Sequence, residues 1–151
     1  MSRFAKGLVD GNGLYFSRLA GAGDWFFMSS QAVDNEGRIP DSVRVPAPYT
    51  LSQSANVRSQ SQYILDEFGE LMGQIGASYQ TVTQVEQYIQ WKGHADGYLE
   101  TSRSSQYLEV NRPSSALMET GEFIPEGIVV TPTAIGFVPR DGMEEKEIRS
   151  T

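Results

Sequence analysis

Gln60-Ser61-Gln62-Tyr63-Ile64-Leu65-Asp66-Glu67-Phe68-Gly69-Glu70-Leu71-Met72-Gly73-Gln74-Ile75-Gly76, then Thr81-Val82-Thr83-Gln84-Val85-Glu86-Gln87-Tyr88-Ile89, is the stretch that decides the fold. In its first part Ile64, Phe68, Leu71, Met72 and Ile75 recur at helical spacing. One stripe is therefore apolar, while Arg58, Asp66, Glu67 and Glu70 lie off it. Ser52 or Ser54 supplies an N-cap oxygen, and Gly76 supplies the stop. Gly69 and Gly73 each cost about 1 kcal/mol relative to alanine; their spacing puts them on one helix face and permits close packing there. The second part is β-branched and reads as a strand. Both of its faces mix polar with apolar residues, as a strand does at a subunit interface or a pocket.

Upstream, Leu14 to Leu19 and Trp25 to Ser30 are aromatic-rich strands joined by Ala20-Gly21-Ala22-Gly23-Asp24. The Gly21/Gly23 pair leads into a strand, not a helix, so it is a hairpin turn and not a phosphate loop. Residues 32–51 read as a long loop, with Asp34-Asn35-Glu36-Gly37 as turn chemistry and Pro40, Pro46 and Pro48 against a continuous helix or a central strand. Downstream come a second helix from His94 to Leu108, with Tyr98 and Leu99 inward, and strands at Ser114 to Glu119 and Ile128 to Val138. Pro132 inside the last strand predicts a bulge or an edge. The sum is an α+β domain over residues 1–138, with two helices on one face of a mixed sheet, and a charged, loosely held tail over 139–151. The other face of the sheet lacks a helix to cover it, so an oligomer is expected.

Composition narrows the chemistry. The 151 residues contain no cysteine and one histidine, His94, which removes disulfides, thiolate nucleophiles and the usual zinc and iron–sulfur sites; no metal or cofactor is expected. His94, at a helix start, reads as a near-surface residue without a catalytic role. The net charge of −7 and the scattered basic residues argue against nucleic acid as a partner. No run approaches the roughly 18 apolar residues of a membrane span. The N-terminus lacks the apolar segment of a secretory signal, so a cytoplasmic protein is expected.

Several short signatures then line up in order: Phe27-Met28-Ser29-Ser30-Gln31, Asn35-Glu36-Gly37-Arg38-Ile39-Pro40, Gln60 to Phe68, Gly76-Ala77-Ser78, Val85 to Ile89, Arg112-Pro113-Ser114-Ser115, Pro125 and Val129-Val130. Together, over roughly Tyr15 to Val138, they resemble the RidA/YjgF (L-PSP, or Rid) family. The resemblance implies a chorismate-mutase-like homotrimer with ligand clefts between subunits. It also implies hydrolysis of reactive imines or enamines to a 2-oxo acid and ammonia. Arg112 stands where family members grip the substrate carboxylate, and a guanidinium matches a carboxylate with two parallel donors. Tyr15 and Ser30 fall at pocket positions. Thr131 falls where deaminating members carry a water-positioning glutamate, and its hydroxyl orients water without serving as a base. Glu119 is the acid nominated to take over that work, with Glu122 and Glu86 passed over. Ser29-Ser30-Gln31 adds a side chain where the family has Ser-Gly-Gln, and the loop from Val43 to Leu51 is long, both pointing to a different or larger ligand. The leading expectation is a Rid-like hydrolase of a small carboxylate-bearing imine or enamine. The alternatives are a pathway enzyme with a larger substrate and a trimer that binds a small carboxylate without turning it over.

Overall fold

The computed structural model describes residues 3–9, 15–44, 53–104, 106–108 and 113–141, of which 3–9, 15, 16 and 53–55 are described in backbone only. Six strands, β1 (Arg3–Val9), β2 (Tyr15–Ala22), β3 (Trp25–Ser29), β4 (Val82–Ile89), β5 (Ser114–Glu119) and β6 (Val130–Phe137), form one sheet. Its order is β1-β2-β3-β6-β4-β5. All neighbouring pairs are antiparallel except β4 and β5. Helices α1 (Gln53–Gly73) and α2 (Ala95–Ser102) supply the crossovers from β3 to β4 and from β4 to β5. The α+β architecture is thus a mixed sheet with two helices, as the sequence predicts.

The apolar stripe of α1 fills the core: Ile64, Phe68, Leu71 and Met72 are buried against Phe26, Met28, Val85, Ile89, Val130 and Ala134 of the sheet. Burial alternates along β6, with Val130, Pro132, Ala134 and Gly136 facing the helices and Thr131, Thr133, Ile135 and Phe137 facing away.

Several expectations are corrected. The helix predicted to run to Leu108 ends at Ser102 and continues as turns, in which the Tyr107 hydroxyl donates to Asp66 Oδ1 at 2.6 Å. Strand β1, with a lysine and a glycine at its centre, carries too weak an apolar pattern to be read from sequence. Pro132 sits at neither an edge nor a bulge; it is buried in a central strand, in register with Gln87. In an antiparallel strand the N and O of one residue face the same neighbour. Pro132 O accepts from Ser30 N at 3.4 Å, so the missing N–H points past the last β3 pair, Ser29 with Thr133, where the ladder has already ended. Gly69 and Gly73 do not mediate a close approach: a Cβ at Gly69 would sit in ordinary contact with Tyr79, and one at Gly73 would meet open space. Of the two expected caps, Ser54 lies inside α1, which begins at Gln53, and so does not cap it, while Ser52 lies outside the described residues, as does the tail beyond Asp141.

His94 precedes α2 as expected but is buried, with 6% of its surface exposed and the edge of Trp91 packed against it. Burial lowers its pKa below the ordinary value of 6.5. Below that ordinary value the unfolded chain takes a proton that the folded one refuses, so stability is present above 6.5 and falls as the pH drops towards the depressed folded value. One proton limits the slope to about 1.4 kcal/mol per pH unit. Melting temperature is expected to fall from pH 7 to pH 5 in the wild type. The difference from His94→Gln should carry that slope, and a pH-independent difference would show that His94 is not its source.

Candidate functional site

Strand register decides which predicted site residues share a face. Antiparallel partners point the same way, so Tyr88 and Thr131, Glu86 and Thr133, and Gln84 and Ile135 line the face opposite the helices. Trp25 and Phe27 of β3 lie on the same face, 49% and 47% exposed. Across its centre runs a polar row on β4. Tyr88 donates from its hydroxyl to Glu86 Oε2 at 3.0 Å, and Gln84 Nε2 donates to Glu86 Oε1 at 3.1 Å. The bond to Glu86, with burial behind it, raises the Tyr88 pKa above its ordinary 10, which keeps the phenol a donor. Thr131 Oγ1, beside Tyr88, is buried without a hydrogen-bond partner among the described residues.

Glu119 is exposed at the end of β5 and pairs with Ile89, which faces the helices, so the register sets it on the other face from Thr131. Ser30 also points to the helix side: its hydroxyl donates to Glu67 Oε2 at 2.5 Å and lies 3.2 Å from Gln31 O. Tyr15 is paired with Val9 in the β1–β2 ladder, its side chain undescribed, and Arg112 lies outside the described residues, two positions before β5. The fold therefore brings Thr131 together with Glu86 and Tyr88, and does not bring Thr131 together with Glu119 or Ser30.

Sequence reading missed two buried polar struts. The first starts at a bulge: Lys6 pairs with Leu19 and Gly7 with Ser17, leaving Arg18 as the extra residue of β2. A bulge re-aims its side chain, and Arg18 turns to the helix layer with Leu19. There it pairs with Glu67 of α1 and donates from Nη2 to Val33 O at 2.6 Å, with Asp34 O at 3.4 Å. Burial lowers the Arg18 pKa, against the raising influence of Tyr63 and Asp34, and a guanidinium stays charged regardless. Arg18, Glu67 and Ser30 thus tie β2, α1 and the segment after β3 together. Glu67 was expected off the apolar stripe, but it lies three residues after Ile64 and four before Leu71, on the stripe's inner flank. The second strut is Gln60, whose Nε2 donates to Gly127 O at 2.8 Å and whose Oε1 accepts from Val129 N at 3.0 Å, fixing the entry to β6 just before Thr131. The available signal was its position, one turn before Ile64.

A cavity of about 240 Å³ lies beside Gln60, lined by Ile39, Arg44, Asn56, Glu126 and Gly127; of the predicted site residues with described side chains, Ser30, Glu119 and Thr131, none lines it. No group of three His, Asp or Glu among the described residues is placed to hold a metal ion. No helix among them is long and apolar enough to cross a membrane.

No family model matches the sequence, and no curated protein matches it significantly. Solved structures do match. A Klebsiella pneumoniae protein described as a candidate endoribonuclease superposes with a TM-score of 0.70 at 19% identity, covering 82% of this chain and 100% of its own. A Mycobacterium tuberculosis member of the YjgF/YER057c/UK114 family superposes with a TM-score of 0.61 at 17% identity, covering 82% and 86%. RidA from an Antarctic Psychrobacter gives 0.60 at 14%, covering 82% and 88%. The fold is that of the RidA/YjgF family. At these identities the likeness speaks for the Rid-type fold alone.

Proposed function

We propose that the chain is a Rid-type hydrolase of a small carboxylate-bearing imine or enamine. It works in clefts between the subunits of a cytoplasmic homotrimer. The observation that carries the reading is the open sheet face: half-exposed Trp25 and Phe27 flank a hydrogen-bonded polar row, an arrangement that suits a surface covered by another copy with a polar site left inside it. Arg112 grips the carboxylate as a two-pronged donor and cannot lose its charge. Held in this way, the substrate presents its C=N carbon to a water at fixed distance, which removes much of the entropic barrier to attack. The products are a 2-oxo acid and ammonia. The long segment from Val43 to Leu51, most of it outside the described residues, suits a ligand larger than the smallest imino acids, whereas the Ser30 side chain, turned to Glu67, does not narrow that face.

A second reading, a trimer that binds a small carboxylate without turnover, is favoured by one observation. Thr131, on the site face, is no base, and its hydroxyl is already sheltered. An endoribonuclease activity, named for the Klebsiella neighbour, suits a chain of net charge −7 poorly. The test is ammonia release from an imino acid formed in situ from an amino acid by an amino-acid oxidase. Acceleration over the spontaneous rate is expected for at least one aliphatic or aromatic imino acid. Saturable binding of the matching 2-oxo acid with no acceleration would replace the hydrolase reading with the binding one.

A further inference from the structure

Hydrolysis of a C=N bond needs a group that takes a proton from the attacking water, and a threonine hydroxyl does not do so at neutral pH. Register leaves a single carboxylate on the site face of β2–β6 among the described residues, and it is Glu86, not Glu119. Glu86 stands opposite Thr133 and diagonal to Thr131. Such diagonal positions are about 7–8 Å apart and within reach of long side chains. Both of its oxygens are occupied by donors from its own strand, Tyr88 Oη and Gln84 Nε2, which fixes the carboxylate in one orientation. No ion pair to Glu86 is present among the described residues. A carboxylate without a counter-charge, on a face that other copies cover, costs several kcal/mol to desolvate. The neighbouring Thr131 hydroxyl is a second polar group on that face, buried and without a partner among the described residues.

We infer that Glu86 is the acid–base residue of the site, with Tyr88 and Gln84 as the residues that position it. The inference rests on the hydrolase reading and adds to it the identity of the base. Glu86 takes a proton from water as the water oxygen bonds to the imine carbon and the C=N electron pair moves to nitrogen, which collects that proton from Glu86. Glu86 then takes the hydroxyl proton of the carbinolamine. The C–N bond breaks with its pair on nitrogen, nitrogen receives the proton, and a 2-oxo acid and ammonia remain.

The experiment compares wild type, Glu86→Gln, Tyr88→Phe and Glu119→Gln. Each is assayed for ammonia release from 2-iminopropanoate and from the larger imino acids of leucine and phenylalanine, each made in situ from its amino acid, and for binding of pyruvate and the matching larger 2-oxo acids. Glu86→Gln keeps the shape and an oxygen for Tyr88, so the oligomer should survive; sedimentation checks this. Turnover is expected to fall 100- to 10,000-fold, the usual worth of a general base, with the pyruvate dissociation constant within about threefold. Tyr88→Phe should lower kcat about tenfold with KM nearly unchanged, a split that a merely structural role would not produce. Wild-type turnover in Glu86→Gln, or loss of turnover in Glu119→Gln instead, overturns the assignment. So does equal loss of binding and turnover in Glu86→Gln, which would make Glu86 a binding or assembly residue. A wild type that releases no ammonia from any imino acid of the series would sink the hydrolase reading itself, and the base with it.

Discussion

Glu67→Ala is expected to lose about 3–5 kcal/mol of folding stability, the usual cost of stranding one member of a buried ion pair. Arg18 and Glu67 side chains are 11% and 15% exposed, so little solvent screens the pair. Removing the carboxylate leaves a guanidinium that cannot deprotonate and whose Nε already lacks a partner among the described residues. It also takes the acceptor from the Ser30 hydroxyl. For a chain of 151 residues this corresponds to a fall in melting temperature of roughly 6–20 °C. Glu100→Ala is the contrast: its partner Arg58 is exposed, and the change should stay within about 0.5 kcal/mol. Urea unfolding of both variants decides the matter, and a Glu67→Ala loss below about 1 kcal/mol would mean that the Arg18 strut holds nothing. Replacing the pair together, Arg18→Met with Glu67→Leu, should recover most of the loss, since a buried pair is commonly replaced by apolar residues at little cost.

The second large effect comes from the centre of the sheet. Phe26, fully buried, faces Gly136 across β3 and β6. Phe26→Ala removes a ring from a packed core and is expected to cost about 3–5 kcal/mol. Gly136→Ala inserts a Cβ at 2.3 Å from Phe26 Cζ and 2.6 Å from the Thr81 carbonyl oxygen, and should cost about 1–3 kcal/mol or more by overpacking. The two losses should not add. With the ring gone, the new methyl enters vacated space, and a coupling of about 0.5–3 kcal/mol should appear in the double-mutant cycle. The Thr81 carbonyl remains in place, so the double mutant should not match Phe26→Ala with its glycine intact. Additive losses would show that ring and glycine do not share one space.

The particular residues show why some of this was legible and some was not. Local pattern was enough for the α1 stripe, for the existence of the hairpin, whose β2 runs on through Ala22 into what read as turn, and for β5, whose bounds at Ser114 and Glu119 coincide with the reading. Pro132 misled because a local rule about missing donors ignores which neighbour the N–H faces, and the end of β3 beside it is a tertiary fact. Glu67 read as lying off the apolar stripe and Arg18 drew no reading; a bulge brought Arg18 inward, and Glu67 sat on the flank of a stripe whose width the apolar residues understated. The site followed the same division. The position of Thr131 on a strand was readable, yet its neighbours were not, because β6 enters between β3 and β4 and only that pairing puts Glu86 beside Thr131 and sets Glu119 behind the sheet.

A carboxylate-binding site that depends on Arg112 is read out by thermal shift of wild type and Arg112→Ala with small aliphatic and aromatic 2-oxo acids. At a hundred times its dissociation constant a ligand stabilises the folded protein by about 2.7 kcal/mol. A stabilising 2-oxo acid is expected for the wild type, and no shift for an Arg112→Ala protein that keeps the wild-type oligomeric state. An equal shift in both proteins, or none in the wild type across the series, would contradict it.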